Sequence, residues 1–398
     1  MTVARNLPYG RQWIDDNDVA AVVDALRSDW LTTGPRVEQF ESALAAKVGA
    51  RYAVVASSGT AALHLACMAA DVGPGGVVIS SPNTFVASTN CALYCGARPA
   101  FADIDSETLN LDPSALAHLL NHLPSGQPQA VIPVHFAGQP CAMEQISSLA
   151  RSAGLRIIED ACHALGARWR DRTGRWQSVG NCSHSDMTVF SFHPVKHITS
   201  GEGGAITTND QQIYERLRRL RHHGIGRTLM QLGAQEPWRH EITELGYNYR
   251  LSDIQCALGL SQLRKLEGWV ERRRALAARY DRELADLSEV KRPAQAANNF
   301  SSYHLYVVQV PRRSALFHRL HERGIKTQVH YLPVHLHPLY RERFGYRAGD
   351  FPKAEAYYEG ALSLPLFPQM SDNDVTYVAE VLREALAEHN LPKQEPQS

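Results

Sequence analysis

Four short segments carry residue types that could take part in chemistry, and each of them follows a predicted strand. The most reactive candidate is Lys196, which lies between the strand Met187 to Ser191 and the glycine-rich turn Gly201 to Gly204. Glycines lack side-chain bulk and let a ligand approach the backbone closely. A lysine forms a Schiff base only when it is partly deprotonated, which burial or a nearby cation promotes by lowering its pKa. We therefore predict that Lys196 is a nucleophile, against the alternative of an ordinary surface lysine.

The second segment has an acid, Asp160, at the end of a predicted strand. The strand reads Ile157-Ile158-Glu159-Asp160 and continues into Ala161-Cys162-His163. The acid follows an apolar strand, where its charge is costly unless a cation faces it. Ligands of parallel sheets bind beyond the carboxyl ends of the strands. The segment therefore predicts a positively charged group opposite the acid; the alternative is an aspartate that caps the next helix.

Two further segments could bind a ligand through backbone amides or turn residues. Ser57-Ser58-Gly59-Thr60-Ala61-Ala62-Leu63 passes from a strand into a helix, whose free N–H groups and positive dipole end suit a phosphate. Serine and threonine are also ordinary N-caps, so an empty cap is an equal alternative. The fourth segment, Leu245 to Ser252, is a polar and aromatic turn before a long helix, or simply the cap of that helix through Ser252 or Asp253.

Alternating strands and helices must position these four segments. Hydrophobic spacing predicts two early helices, Asp15 to Ser28 and Val37 to Val48. Short β-branched runs bounded by turn residues predict the following strands: Tyr52 to Ala56, Val77 to Ser80, Arg98 to Ala102, Ala130 to Val134, Arg156 to Glu159, Met187 to Ser191 and Gly204 to Thr207. Because helical stretches separate most of these strands, we predict an α/β fold with a mainly parallel sheet covered on both faces.

The remainder of the chain predicts a second, smaller domain. A long, arginine-rich helical pattern runs from Ile254 to about Leu287. It is followed by predictions of a strand at His304 to Val310, a helix at Ser314 to Arg323 and a strand at Lys326 to His330. We place the boundary near residue 265, with an N-terminal arm and large domain at 1–265 and a small α+β domain at 266–398. The polar tail Pro392 to Ser398 is expected to fray.

The charge balance and the apolar runs exclude two classes of partner. The 398 residues contain 41 lysines and arginines and 41 aspartates and glutamates, so no global field favours nucleic acid. Apolar runs end within about a dozen residues, short of the ~20 that cross a bilayer. The first residues lack the apolar core of a secretory signal. We expect a cytoplasmic protein that binds neither nucleic acid nor membrane.

The cysteines and histidines do not predict a metal site. The seven cysteines are an odd and scattered set, unlike a disulfide framework or a paired zinc site. The histidines at 330, 335 and 337 lack a carboxylate or cysteine that would complete a ligand set. We predict no bound metal.

The four segments together resemble one known family. The motifs SSGTAAL, EDACHALG, SFHPVK, GEGGAI and GYNYRLSDIQCALG occur in this order over nearly the whole chain, and they are similar to those of the DegT/DnrJ/EryC1/StrS nucleotide-sugar aminotransferases. The resemblance implies the type I fold of aspartate aminotransferase and the cofactor pyridoxal 5′-phosphate. It also implies a homodimer whose active sites lie at the subunit interface.

The resemblance assigns roles by position. Lys196 matches the lysine that holds the cofactor covalently, and Asp160 matches the carboxylate that keeps the pyridine nitrogen protonated. Gly59, Thr60 and Ser191 match phosphate ligands, while Asn248 matches the residue that reaches the phosphate from the other subunit. The remaining cofactor contacts are Phe85, which is placed to stack on the ring, and His163, which lies close to the cofactor or is a packing histidine.

The implied reaction has two halves. An amino donor, L-glutamate by resemblance, gives its amine to the cofactor, which then passes it to a keto group of a nucleotide-linked sugar. Lys196 moves the proton in both halves. Related dehydratases have a histidine in place of this lysine, so Lys196 favours transamination.

The terminal segments resemble one branch of the family, which forms UDP-4-amino-4,6-dideoxy-N-acetyl-β-L-altrosamine in pseudaminic acid biosynthesis. In that branch the nucleotide-sugar pocket would be lined by the following residues: Tyr9, Asp29, Trp30, Leu31, Thr32, Gln328, Val329, His330 and Tyr331. The motifs SSGTAAL and EDACH match the wider family better than this branch.

Two other functions stay open beside this one. The first is amination of another UDP-, dTDP- or GDP-linked keto-sugar. The second is a non-catalytic, cofactor-binding regulator, which is disfavoured because no basic DNA-binding module precedes the fold. A nicotinamide dehydrogenase is excluded because no GxGxxG motif follows the first strand.

Overall fold

The computed structural model describes residues 6–123, 126–226 and 240–390. The tail from Pro392, for which we predict fraying, lies outside these residues. The helices are α1 (Asp16–Leu26), α2 (Pro35–Val48), α3 (Gly59–Ala69), α4 (Ala87–Tyr94), α5 (Pro113–Asn121), α6 (Met143–Ser152), α7 (Gln211–Arg221), α8 (Asp253–Leu263), α9 (Leu266–Glu283), α10 (Arg313–Glu322), α11 (Pro338–Phe344), α12 (Pro352–Gly360) and α13 (Asp372–Asn390). The strands are β1 (Tyr52–Ala56), β2 (Gly76–Ser80), β3 (Arg98–Phe101), β4 (Gln127–Ile132), β5 (Arg156–Asp160), β6 (Arg168–Arg170), β7 (Trp176–Ser178), β8 (Met187–Ser191), β9 (Gly204–Thr208), β10 (Ile225–Gly226), β11 (Glu241–Ile242), β12 (Asn299–Phe300), β13 (Tyr306–Gln309) and β14 (Ala361–Leu364).

Seven strands form the central sheet in the order β1-β9-β8-β5-β4-β2-β3. The pairs β8–β5, β5–β4, β4–β2 and β2–β3 are parallel, whereas β9 runs antiparallel to both β1 and β8. The carboxyl ends of β1, β5 and β8 therefore meet at one edge of the sheet. The reversal of β9 brings its first residue, Gly204, to the same edge, opposite Ala56 and Ser191. The mainly parallel, mixed α/β sheet confirms the predicted fold class.

Helices bury both faces of this sheet. On β1, Val54 and Ala56 pack with α3 and α7, while Ala53 and Val55 face the side of α2 and α8. This alternation follows from the two-residue period of a strand, and the burial of both sets is typical of strands in a parallel sheet. A sheet covered on both sides leaves its carboxyl edge as the place where side chains can converge.

The C-terminal elements contain one strand prediction that is wrong. The segment Lys326 to His330 forms no ladder; Ile325 makes an isolated bridge with Leu7, and Gln328 makes another with Ser363. The segment is shared between two different neighbours, so it pairs with each at a single residue. The predicted strand at His304 to Val310 is shorter, Tyr306–Gln309, and pairs with β14.

The long helical pattern after Ile254 is two helices rather than one. Helix α8 ends at Leu263, and α9 begins at Leu266 after a short break at Arg264 and Lys265. The start of α9 packs against the large sheet, and its later residues Leu276, Ala277 and Tyr280 join the C-terminal core. A domain boundary near residue 265 stays a prediction. In the part of the chain that the structure describes, no helix is long and apolar enough to cross a membrane.

Buried polar contacts attach α1 to the break between α8 and α9. The carboxylate of Asp18 is fully buried and accepts hydrogen bonds from Ser261 Oγ and Gln262 Nε2, each at 2.6 Å. It also pairs with Lys265 Nζ at 2.8 Å. One carboxylate is therefore shared by three donors, of which Lys265 also pairs with Asp15 at 2.6 Å and Gln262 also donates to Trp13 O at 2.9 Å.

Substitution of this carboxylate should destabilise the protein. We expect Asp18→Ala to lower the free energy of unfolding by about 2–4 kcal/mol, because Ser261 loses its acceptor while Gln262 and Lys265 each lose one of two partners. The exposed Asp24 on the same helix is the matched control, and Asp24→Ala should change stability by about 0.5 kcal/mol or less. Urea unfolding of both variants measures the difference. Equal midpoints for the two would contradict the assignment.

Candidate active site

Lys196 lies in the turn that connects β8 to β9. The turn closes through hydrogen bonds from Phe192 N to Gly203 O and from Ser200 N to Phe192 O. The Lys196 side chain is half-buried, and its Nζ lies 3.5 Å from His304 Nε2. Burial lowers the pKa of Lys196, although the neighbouring Cys162 and Asp160 act in the opposite direction. The lysine therefore has the lowered pKa that a nucleophilic amine requires.

Asp160 ends β5, the middle strand of the sheet, and its side chain is buried. Oδ2 accepts a hydrogen bond from Ser88 Oγ at 2.6 Å, and Oδ1 accepts one from Cys162 N at 3.0 Å. Within the described ranges, no ion pair joins Asp160 to a basic side chain. Two neutral donors only partly compensate a buried charge, so the carboxylate is suited to a cationic ligand.

Two imidazoles and two aromatic rings surround these groups. Tyr331 OH lies 3.1 Å from His163 Nε2, and the rings of His163 and His304 are 4.5 Å apart. Burial, reinforced by nearby Lys196, holds the pKa of His163 well below its usual range, so this ring is uncharged. The Phe85 ring lies 6.1 Å from the Tyr331 ring and is 56% exposed, so one face of this group of side chains is open. We call the group the Lys196 cluster; its members are Lys196, Asp160, His163, His304, Tyr331 and Phe85.

The start of α3 is the segment that we predict to hold a phosphate. Ser58 is the N-cap and accepts a hydrogen bond from Ala61 N at 3.0 Å. A Cβ at Gly59 would lie 3.0 Å from Ser191 Cβ, and a Cβ at Gly204 would lie 2.5 Å from Ser58 O. Only glycine allows these close approaches. Gly59, Thr60 and Ser191 are therefore brought together at the first turn of a helix, where free amides favour an anion.

The N-terminal arm and the segment before α11 join the same cluster. The rings of Tyr9 and His330 are 5.5 Å apart, and Val329 packs in the same apolar group as Tyr9 and Tyr331. His330 Nδ1 lies 2.8 Å from Ser363 Oγ. Gln328 is exposed beside them. The structure thus brings these predicted pocket residues to the Lys196 cluster.

The other predicted residues form a second group beside the start of α8. Leu31 O accepts a hydrogen bond from Asp253 N, and Thr32 bridges to Ser252. Asp29 and Trp30 are exposed in the same loop. Within one chain, as far as the structure describes it, no hydrogen bond joins these four loop residues to the Lys196 cluster.

Asn248 belongs to this second group. It is exposed and bridges to His222. The next residue, Tyr249, accepts a hydrogen bond from Ser57 N at 2.8 Å, so its backbone contacts the carboxyl end of β1. The role of Asn248 at a neighbouring subunit stays a prediction.

Two residues of the site were missed from the sequence. Ser88 contacts Asp160 from α4, and His304 contacts Lys196 from the loop before β13. Both contacts join residues at least 72 positions apart in the chain, so the local sequence does not reveal that these side chains meet. Away from the cluster, His335 Nε2 lies 2.9 Å from Glu355 Oε1.

Comparison with known proteins identifies the family of this fold and site. The profile of the DegT/DnrJ/EryC1/StrS aminotransferase family matches residues 12–383. The spore coat polysaccharide biosynthesis protein SpsC of Bacillus subtilis is 40% identical over 386 residues, which cover 95% of this chain and 96% of that protein.

Solved structures are similar over the same extent. PseC of Helicobacter pylori, an aminotransferase involved in the biosynthesis of pseudoaminic acid, has a TM-score of 0.87 at 30% identity and covers 96% of this chain and 100% of its own. The putative sugar aminotransferase Spr1654 of Streptococcus pneumoniae in its PMP-form has a TM-score of 0.88 at 30% identity, with the same coverage. Its PLP-form gives a TM-score of 0.87. These neighbours confirm the predicted type I fold.

The residues present fit pyridoxal 5′-phosphate. Asp160 is a buried carboxylate that forms no direct ion pair in the described chain, which suits a protonated ring nitrogen. The first turn of α3 offers backbone amides that suit the phosphate, and Ser191 lies against Gly59 at the start of this turn. The chain is a pyridoxal phosphate-dependent sugar aminotransferase, and it belongs to the DegT/DnrJ/EryC1/StrS aminotransferase family.

Proposed function

We propose that the protein transfers the amino group of L-glutamate to C4 of a UDP-4-keto-6-deoxy-N-acetylhexosamine. The product would be UDP-4-amino-4,6-dideoxy-N-acetyl-β-L-altrosamine, a precursor of pseudaminic acid or another surface glycan. The observation that carries the amino transfer is the half-buried Lys196, whose pKa is lowered by burial and which lies near the buried carboxylate of Asp160. The choice of sugar is supported by the similarity to the Helicobacter pylori aminotransferase involved in pseudoaminic acid biosynthesis.

In this proposal, each residue of the cluster holds or orients the cofactor. Asp160 pairs with the ring nitrogen, with Ser88 and Cys162 N fixing its two oxygens. Gly59, Thr60 and Ser191 bind the phosphate, and Asn248 reaches it from the other subunit. When bound, pyridoxal phosphate supplies an electron sink for the bond that breaks at the donor carbon. The remaining contacts are assigned to Phe85, which stacks on the ring, and His163, which lies beside it.

Lys196 is assigned two tasks. Its amine holds the cofactor covalently at rest, and it moves a proton at the reacting carbon in each half of the reaction. A lysine at its ordinary pKa would be protonated near neutral pH and could not accept that proton. Burial of the side chain lowers its pKa and thereby favours the free amine.

The sugar pocket is proposed to form between two subunits. Tyr9, Gln328, Val329, His330 and Tyr331 would come from the chain that holds Lys196. The loop Asp29 to Thr32 would come from its partner. Several large apolar side chains in the described chain are exposed and would be covered in such a homodimer: Val19, Leu26, Trp30, Leu31, Ile242 and Leu245.

A second candidate is the same transfer to a different UDP-, dTDP- or GDP-linked keto-sugar. The Bacillus subtilis protein favours it, because it is named for spore coat polysaccharide biosynthesis and its 40% identity exceeds the 30% of the Helicobacter pylori protein. The residues of the Lys196 cluster serve both candidates equally. A comparison of substrates separates them.

Steady-state kinetics with L-glutamate and a panel of keto-sugars tests the choice of substrate. We expect kcat/KM for UDP-4-keto-6-deoxy-N-acetyl-β-L-hexosamine to exceed the values for dTDP- and GDP-linked 4-keto-sugars by roughly 10²-fold, because unmatched polar groups in a pocket are strongly rejected. A preference for a dTDP- or GDP-linked sugar would replace the first candidate by the second. No turnover with any keto-sugar would contradict both.

Substitution of Asp160 tests the pairing with the cofactor ring. We expect Asp160→Asn to retain bound cofactor but to slow the single-turnover transfer from L-glutamate by about 10²–10³-fold, because a neutral amide cannot stabilise a protonated ring nitrogen. Cofactor absorption measures both the content and the rate.

The matched control is Glu159, the adjacent buried carboxylate on β5. Glu159 bonds to His135 at 2.7 Å and to Ser185 at 2.5 Å rather than to the Lys196 cluster. Glu159→Gln should reduce stability and leave the transfer rate of the folded enzyme within a few-fold of the wild type. An unchanged rate in Asp160→Asn would show that another group holds the ring nitrogen.

A further inference from the structure

His304 is the side chain that contacts the amine of Lys196. The two atoms, Lys196 Nζ and His304 Nε2, are 3.5 Å apart, and His304 is buried. The ring lies 4.5 Å from the His163 ring and 5.6 Å from the His197 ring. His304 reaches the cluster from the loop before β13. It therefore links the lysine to a second part of the fold.

The free nitrogen of this imidazole leaves its tautomer unconstrained. His304 Nδ1 is buried and has no hydrogen-bond partner among the described residues. Burial, with Lys196, His163, His197 and Arg273 nearby, holds the pKa of His304 well below its usual range, so the ring is neutral. A neutral imidazole with its proton on Nδ1 accepts a hydrogen bond from a lysine ammonium at Nε2. With the proton on Nε2 it donates to the free amine instead.

Arg273 holds the loop that carries His304. This arginine of α9 is 1% exposed, and its Nη1 donates to Leu366 O at 2.8 Å and to His304 O at 3.3 Å. It also lies 3.5 Å from the carbonyl of Tyr303, whose φ of 47° is in the left-handed region. In the described chain no carboxylate pairs with Arg273. A buried guanidinium that donates to backbone carbonyls both fixes the loop and places a positive charge near the imidazole.

We infer that His304 is a positioning residue for Lys196. Its neutral ring holds Nζ in place and offers a hydrogen bond to the lysine in both of its protonation states, while Arg273 fixes the backbone that carries the ring. This inference rests on the proposed function of Lys196 as the residue that bonds the cofactor. It adds to the site a residue that lies outside the large sheet and 108 positions from Lys196 in the chain.

Titratable groups other than His304 also surround the amine of Lys196 and influence its pKa. Asp160 and Cys162 face Lys196 from β5 and the loop after it and raise its pKa. The imidazoles of His163, His197 and His330 also lie near the amine and are uncharged, because burial lowers the pKa of each. All of these groups stay in place when His304 alone is removed.

The direction in which the pKa of Lys196 should change on loss of His304 follows from the stronger of two hydrogen bonds. A bond from a charged ammonium to the imidazole is stronger than a bond from the imidazole to a neutral amine. Loss of His304 therefore destabilises the protonated lysine more than the free amine. The pKa of Lys196 should fall further, and a purely structural role for His304 would not produce this shift.

The test is the rate at which cofactor-free protein bonds added pyridoxal 5′-phosphate, followed by visible absorption over a range of pH. For His304→Ala we expect the pH midpoint of the rate to fall by about one unit, from the loss of one charge-assisted hydrogen bond. His304→Gln places an amide near the position of Nε2 and should restore a midpoint close to that of the wild type. The exposed His318 on α10 is the matched control, and His318→Ala should leave the midpoint unchanged.

The outcomes separate this inference from the proposed function. A wild-type midpoint in His304→Ala, with normal bonding of the cofactor, would overturn the inference and leave the function of Lys196 intact. If His304→Ala does not fold, His304→Leu, which has no hydrogen-bonding group, takes its place, and a wild-type midpoint in that variant would overturn the inference as well. If the wild-type protein bonds no pyridoxal phosphate, the proposed function itself is wrong.

Discussion

The buried negative charge of Asp160 is the constraint on which the site depends. Its strand, β5, is the middle strand of the sheet, so the carboxylate cannot turn to solvent. Ser88 Oγ and Cys162 N orient its two oxygens without neutralising them. A buried carboxylate in this state favours a cationic ligand, and a protonated pyridine ring meets that need. Burial thus acts on both residues: it favours a cation beside Asp160, and it lowers the pKa of Lys196.

The reversed strand β9 explains how the phosphate cradle reaches the same place. It pairs with both β1 and β8, so its first residue, Gly204, lies between the carboxyl ends of these two strands. A side chain at Gly204 would collide with the backbone of Ser58, and one at Gly59 would crowd Ser191. The two glycines thereby let the start of α3 approach the turn that carries Lys196. Sheet topology and glycine placement together determine the distance between the start of α3 and the turn that carries Lys196.

The sequence predicted the parts of the site that lie at strand ends. Lys196, Asp160 and Gly59 each follow a strand, and parallel strands bring such positions to one edge whatever the details of packing. Ser88 and His304 could not be found in this way, because their contacts join distant parts of the chain. Local patterns also do not reveal pairing partners. The strand prediction at Lys326 to His330 was wrong because that segment is divided between Leu7 and Ser363.

The central claim is that Lys196 bonds the cofactor beside Asp160. Reduction of the cofactor-loaded protein with borohydride, followed by digestion and mass spectrometry of the peptides, tests it most directly. The account predicts a phosphopyridoxyl group on the peptide that contains Lys196 and its absence after prior treatment with L-glutamate, which converts the cofactor to its amine form. A phosphopyridoxyl group on a different lysine, or on none, would contradict the account.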